Sequence, residues 1–515
     1  MAGWSDPDRD YNQALSVPAS PSLASRPAFV PVMAALVALL VGGVATMYYA
    51  GQDLTLSHYD AKAHLVVARR IFDSLTPGWR QIGAVWLPLP HVLNAIPVQV
   101  DAWYRTGLSG VAISMLSFAA AATSLTWLIA RLSGSLPAAW VTLAVFVYQP
   151  DLLYLQATPM TEPLLLGLTV TGIALLYRWT ASRGSGAAWP AGVMLALACL
   201  TRYEAWPMTV AAGLVAWLAL WRNGVGFGRS LAAVMRVGVW PVGALVLFLI
   251  LSKATVGAWL VTGGFYEPDN PAYRVPARAL VQVGWGLGRV GGWPVAWAAA
   301  AGAMAVLLQG LVRKERQDWW FVLALAGCAA LPYYAFVSGH PFRIRYMILL
   351  ITAAAACIGM MVSLLPKPFR PAVLLLVLAV LAFERRPLGL TSPMVAEAQW
   401  DRANQRDRRR VTACLLDAWR GEPILVSMGS LAHYMQETSA NGLAIRHYIH
   451  EGIGEIWFEA LKSPRRHAAF VLVEEKAEGG DQLFQMARKD PTFLEGFARG
   501  CEGGGVALYV RTSGV

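Results

Sequence analysis

Long apolar runs separated by short polar punctuation dominate the chain. The first, Phe29 to Ala50, carries no charged residue. A helix needs roughly 20 apolar residues to cross the hydrocarbon core of a bilayer. Similar runs recur near 109–130, 135–155, 160–179, 187–201, 204–221, 231–255, 291–312, 319–338, 345–365 and 371–384, so the pattern predicts about eleven spans. The stretch from Val85 to Tyr104 is also apolar, but Pro88, Pro90 and Pro97 interrupt it. It reads as helix lying in the interface, not as a crossing. Past residue 386 the pattern changes. Strand-like Pro423–Met428, His467–Glu474 and Val506–Arg511 alternate with helical stretches near 430–438, 453–462 and 480–498. That alternation predicts a small α/β unit with a partly parallel sheet.

Composition sharpens this picture. The 515 residues are 56% hydrophobic and only 14% charged, with a mean hydropathy of +0.47. Soluble chains carry about 25% charged residues. The net charge of +11 is spread over short loops instead of clustering with aromatics on one soluble face, which excludes nucleic acid as a partner. Arg131; Arg178 and Arg183; Arg222, Arg229 and Arg236; Arg313, Lys314 and Arg316; and Lys367 and Arg370 stand in short loops poor in acids. The positive-inside rule puts those loops in the cytoplasm, and the first loop and the C-terminus outside. The expected architecture is therefore mostly α. A cytoplasmic tail (1–28) precedes a polytopic membrane helical bundle (29–385, first outer loop 51–108), and a soluble extracytoplasmic α/β domain (386–515) follows. The tail lacks the basic start of a signal peptide, so the first run reads as an uncleaved anchor. Cys199, Cys328 and Cys357 sit in apolar runs, and no cysteine pair has metal-ligand spacing. Cys414 and Cys501 are open to two readings, a disulfide if the tail lies outside or two buried thiols.

The chemistry concentrates after the first span. In Leu56-Ser-His-Tyr-Asp-Ala-Lys-Ala-His64, Asp60 and His64 are four apart and share one helix face. A carboxylate beside an imidazole at the membrane edge suits deprotonation of a hydroxyl; the plain alternative is an interfacial helix with its polar face in water. In the orientation above, Glu162, Arg202, Glu204, Tyr266, Asp269, His340, Arg343 and Arg345 all fall at outer span ends or in outer loops. A charge at the bilayer centre costs about 2.5–3.5 kcal/mol on insertion scales, so convergence on one side reads as a site. Arg343-Ile344-Arg345 behind His340 suits a lipid phosphate gripped bidentately, against simple snorkelling. Thr201-Arg202-Tyr203-Glu204 fits a substrate contact or an internal ion pair equally. Glu162 opens a helix, where an acid suits the dipole in any case. The loop Gly263–Pro271, with Tyr266 and Asp269, suits a sugar or an ordinary connection. Gln81 to His91 reads as cavity wall, with His91 a packed histidine. Met428-Gly429-Ser430 lacks a surrounding glycine fingerprint, so acceptor docking or a structural role is expected there in place of a nucleotide.

His58-Tyr59-Asp60 after a first span, interfacial helices in the loop that follows, and Arg345-Tyr346 together resemble the GT-C fold glycosyltransferases over roughly residues 29 to 365. That class includes protein O-mannosyltransferases and aminoarabinose transferases. The resemblance implies a donor sugar carried on polyprenyl phosphate, and a protein, lipid or glycan acceptor on the outer face of a bacterial cytoplasmic (inner) membrane. It further implies inverting transfer with Asp60 as general base beside His64. Arg343 and Arg345, with His340 and Arg202, would hold the departing phosphate. His58, Glu162, Glu204, Tyr266 and Asp269 would face sugar or acceptor. Protein O-mannosyltransferases tend to have Asp-Glu where this chain has Asp60-Ala61; the acceptor class stays open and the case for a metal on paired acids weakens. No cofactor beyond the donor is implied, with a divalent cation left open. The rivals are a transporter or flippase for lipid-linked glycans and a non-catalytic glycolipid-binding scaffold. A transporter should show internal repeats, and no convincing repeat is present.

Overall fold

A computed structural model describes residues 29–261, 270–384, 386–477 and 480–512. The tail 1–28 and the loop residues Tyr266 and Asp269 lie outside the described residues. Eight described helices are long and apolar enough to cross a membrane: Phe29–Gly51, Leu108–Ser133, Glu162–Ala181, Ala205–Val225, Phe227–Val256, Trp293–Val312, Lys314–Val337 and Arg345–Val362. A ninth crossing is formed if Leu136–Val147 and Pro150–Gln156, bent by 68° at their junction, count as one span. The bend follows from sequence: Pro150 forces the preceding Gln149 out of the helical region, to φ −75° and ψ 114°. The two remaining expected spans are shorter helices, Trp189–Cys199 with 11 residues and Arg370–Glu384 with 15. The chain is thus a mostly α, multi-pass membrane bundle with a small sheet unit at its C-terminal end.

Small residues set the spacing of the bundle. Phe29–Gly51 turns Ala34, Ala38, Gly42 and Ala45 inward along one stripe, against Leu108–Ser133 and Pro150–Gln156. At Gly167 a Cβ would stand 2.7 Å from the Ser117 carbonyl oxygen of the neighbouring helix. Apolar lipid offers no hydrophobic drive between helices, so such close backbone approach supplies the packing energy.

Beyond the bundle, five strands order as β2-β1-β3-β5-β4. They are β1 (Ile424–Val426), β2 (Tyr448–Ile449), β3 (Phe470–Glu474), β4 (Phe497–Gly503) and β5 (Val506–Arg511). β1 pairs in parallel with β2 and β3, while β5 runs antiparallel to β3 and β4. Parallel neighbours need helical crossovers, supplied here by Met428–Thr438 and Glu455–Lys462. β1 is apolar throughout, and β3 is apolar up to Glu474, because both faces are covered. The stretch expected to be helix over 480–498 is helix only at Gln482–Lys489; it then turns into the edge strand β4. Of the two readings open for Cys414 and Cys501, the disulfide is the one found. It ties the Arg402–Ala418 helix to β4, while Cys199, Cys328 and Cys357 are free and buried.

Candidate functional site

The Tyr59–Arg69 helix lies between bundle and sheet unit, and ten of its eleven residues are buried. His58 starts it: the Asp60 backbone N–H donates to His58 Nδ1 at 3.1 Å, satisfying one orphan donor of the first turn. The proton of neutral His58 is therefore on Nε2, 3.6 Å from Glu397 Oε1. Glu397 belongs to Pro393–Ala398, a short helix whose Met394, Val395 and Ala398 pack into the bundle core. Ser57 Oγ donates to the Ala398 carbonyl at 2.5 Å, so this strap fixes the helix start from outside.

A helix this polar is buried only because each charge has a partner. Lys62 Nζ meets Glu437 Oε1 at 2.6 Å. Arg69 meets Asp73 at 3.1 Å and Asp101 at 2.5 Å, and Asp73 is held in turn by Arg446 at 2.8 Å. Asp60 meets Arg345, at the start of the last of the eight spans, in a direct ion pair between Oδ2 and Nη1. Arg345 Nε, also buried, has no hydrogen-bond partner among the described residues. Alongside, Arg202 Nη1 reaches Glu162 at 3.0 Å and Thr161 Oγ1 at 3.0 Å, and its Nη2 reaches Glu204 at 2.7 Å. The Arg202–Glu204 pair foreseen as one alternative is present, with Glu162 joined to it.

Burial alone would push the Asp60 carboxyl up. The Arg345 guanidinium more than offsets it and holds the group well below the usual carboxylate range. His64 is pushed far down, by burial first and then by His91, so it is neutral at pH 7. Its Nδ1 lies 3.2 Å from His91 Nε2, and its ring packs 4.1 Å from the Trp86 ring centroid. His91 is packed and 1% exposed, as expected of it.

Of the other expected residues, His340 directs Nδ1 to the Pro341 carbonyl at 2.8 Å and sets its ring against Tyr346. Arg343 is half-buried, and its carbonyl accepts from the Tyr346 N–H one turn ahead. Asp60, His64, Glu162, Arg202, Glu204 and Arg345 thus come together. His58 is 1% exposed and turned toward the strap, placing it behind Asp60 and away from any open surface. Met428-Gly429-Ser430 does open a helix at the end of β1, but Glu451 already takes its N–H groups and the Ser427 hydroxyl. Sequence reasoning missed Lys62, Glu397 and Glu437, whose roles depend on partners hundreds of residues away. It also missed Asp401, His433 and Glu437, the one described cluster with metal-like spacing. Arg408 lies between its two carboxylates at 2.5 and 2.7 Å. With Lys62 on Glu437, that set is neutralised by side-chain cations.

No family model matches the sequence, and no curated protein matches it. Among solved structures the chain is similar to ArnT from Cupriavidus metallidurans, in two crystal structures. The apo form gives a TM-score of 0.58 at 14% identity, covering 94% of this chain and 98% of that one. The form bound to undecaprenyl phosphate gives 0.58 at 13% identity with the same coverage. At such identity the likeness is one of fold, and the chain has the GT-C fold expected from its motifs.

Proposed function

We propose that the protein is an integral membrane glycosyltransferase that moves a sugar, of hexose type, from a polyprenyl-phosphate donor to an acceptor on the outer face of a bacterial cytoplasmic membrane. The contact between Asp60 and Arg345 carries this reading, because it sets a proton acceptor beside an anion grip. The undecaprenyl phosphate in one similar structure supports a lipid phosphate as the ligand. The disulfide supports an oxidising compartment for the C-terminal unit, which leaves the sheet domain of 386–515 outside and the bundle of 29–385 in the membrane.

In the proposed reaction the acceptor hydroxyl oxygen attacks the anomeric carbon while the bond from that carbon to the phosphate oxygen breaks. The electron pair leaves with polyprenyl phosphate, the acceptor proton passes to Asp60, and the configuration inverts. Tied to Arg345, Asp60 is a weak base. A donor phosphate that draws Arg345 onto itself, through the unpartnered Nε among others, releases the carboxylate and raises its basicity when substrate is present. Arg345, with Arg343, His340 and Arg202, then faces the charge that grows on the leaving phosphate. Glu162 and Glu204 hold Arg202 in place and accept sugar or acceptor hydroxyls with their remaining lone pairs. Tyr266 and Asp269 keep the sugar- or acceptor-facing role expected of them from sequence.

Incubating the purified protein with polyprenyl-phosphate sugars and membranes tests the proposal. Release of polyprenyl phosphate with sugar appearing on an acceptor is expected, and Asp60→Asn should stop it while the protein stays folded. A donor left intact by the wild type defeats the reading in favour of a transporter or a scaffold.

A further inference from the structure

We propose that the narrow cleft between the Tyr59–Arg69 helix and the Pro159–Thr161 turn is a hydroxyl-recognition subsite, seating one alcohol group beside His64, one helical turn from Asp60. This rests on the glycosyl-transfer reading and adds a place that discriminates what is transferred. His64, His91 and Asn94 line one side, Ser114 and Thr161 the other, and Gly110 stands against Pro159 at the base. Asn94 is 6% exposed, yet its Oδ1 has no hydrogen-bond partner among the described residues. His91 beside it turns Nδ1 toward the Leu87 carbonyl and Nε2 toward His64, which fixes the ring as cleft wall. Buried polar atoms are almost always satisfied. Asn94 Oδ1 is not, and Asn94 lines this cleft, which marks where a ligand completes the set.

The shape selects the ligand. The inner space suits a hydroxyl group or a single water and is too tight for a phosphate or a prenyl chain. The charge selects it too: burial keeps both imidazoles uncharged, so the wall offers neutral donors and acceptors. An alcohol, which donates one hydrogen bond and accepts others, matches that wall. The subsite is joined to the reacting groups at both ends. His64 follows Asp60 by one helical turn, and Thr161 Oγ1 accepts from Arg202 at 3.0 Å. Either the donor sugar or the acceptor can supply the hydroxyl.

Binding to the full-length purified protein separates the sources. The probes are bare undecaprenyl phosphate and undecaprenyl phosphate carrying glucose, galactose, mannose or arabinose. Asn94→Leu and His91→Leu should weaken the best-bound sugar-carrying lipid about tenfold, the worth of one hydrogen bond, and leave the bare lipid unchanged. His91→Gln and Asn94→Ser, which keep a polar atom and add little strain, should recover part of the loss and stand in if the leucine variants do not fold. If donor affinity holds but the concentration of membranes needed for half-maximal transfer of labelled sugar rises about tenfold, the hydroxyl is the acceptor's and the subsite stands. Equal weakening of bare and sugar-carrying lipid, or no change in any variant, overturns it. A wild type that binds no polyprenyl phosphate defeats the donor reading itself, a result distinct from either.

Discussion

Asp60 and Arg345 stand 285 positions apart in the chain and meet in one ion pair between carboxylate Oδ2 and guanidinium Nη1. One group comes from a polar helix that is not among the spanning helices, the other from the first turn of one that is, so their contact joins two regions that the sequence keeps apart. Arg345→Ala should weaken binding of undecaprenyl-phosphate sugar more than it raises the acceptor requirement. Asp60→Asn should instead cost roughly 10²- to 10⁴-fold in turnover with donor affinity little changed. The check is a titration of donor and acceptor on each variant, and equal losses for both substrates in Arg345→Ala would remove the phosphate role.

Acid sensitivity should come first from histidines. Burial, followed by Arg70, pushes His91 and His450 down to about 3; burial, followed by Arg408, pushes His433 down to about 4. An unfolded imidazole protonates near pH 6.5. Above that value neither state binds the proton and these groups leave stability untouched. Below it the unfolded chain takes up protons that the folded chain refuses, so stability falls, by about 2 kcal/mol per histidine at pH 5. Asp60 and Asp73 are held low, so their contribution persists until the pH falls through the carboxylate range. Thermal midpoints measured from pH 7.5 to 5 should therefore drop, and His450→Gln should flatten the slope. A profile level down to pH 5 contradicts this account.

Glu437 serves two cations. It meets Lys62 Nζ at 2.6 Å, Arg408 Nη2 at 2.7 Å and Arg408 Nε at 3.0 Å. Glu437→Ala strands Lys62 and leaves Arg408 on Asp401 alone, and breaking a buried pair of this kind costs about 3–5 kcal/mol. Lys62→Met removes one charge, fills the space with apolar atoms and leaves Glu437 on Arg408, so it should cost less. Thermal unfolding of the two variants gives the order, and a larger loss for Lys62→Met would reverse the assignment.

The Cys414–Cys501 bond closes a loop across a separation of 87 residues. Chain-entropy reasoning gives such a loop about 4–5 kcal/mol of stabilisation. Cys414→Ser, or a reductant added to the wild type, should lower the unfolding midpoint of the sheet unit. The buried Cys199, Cys328 and Cys357 should resist maleimide in the folded protein. Mass spectrometry of labelled peptides, read beside the melting curve, checks both halves.

The membrane helices were legible because each apolar run is its own signal, from Phe29–Gly51 through Arg345–Val362. The helical spacing of Asp60 and His64 was legible for the same reason: it is local, in period. Partner choice was not. Nothing near Lys62 points to Glu437, and nothing near His58 points to Glu397, because these pairs form only when distant segments pack. β4 was missed since Phe497-Ala-Arg-Gly-Cys-Glu-Gly has an edge strand's polar, glycine-bearing composition, and its order comes from the ladder with β5. β2, at two residues, is too short to show any alternation.

The Tyr59–Arg69 helix is translated long before the chain that seals it. Lys62 precedes Glu437 by 375 positions, which at cellular rates of about 5–20 residues per second is roughly 20 to 75 s of synthesis. Through that interval a nascent protein with its bundle already inserted still holds an ammonium without its carboxylate, and a polar helix with one flank open to water. Ribosomes stalled or transcripts cut short before position 437 would yield chains that reach the membrane yet never seal this helix, so the last quarter of the reading frame acts as the assembly checkpoint for the first.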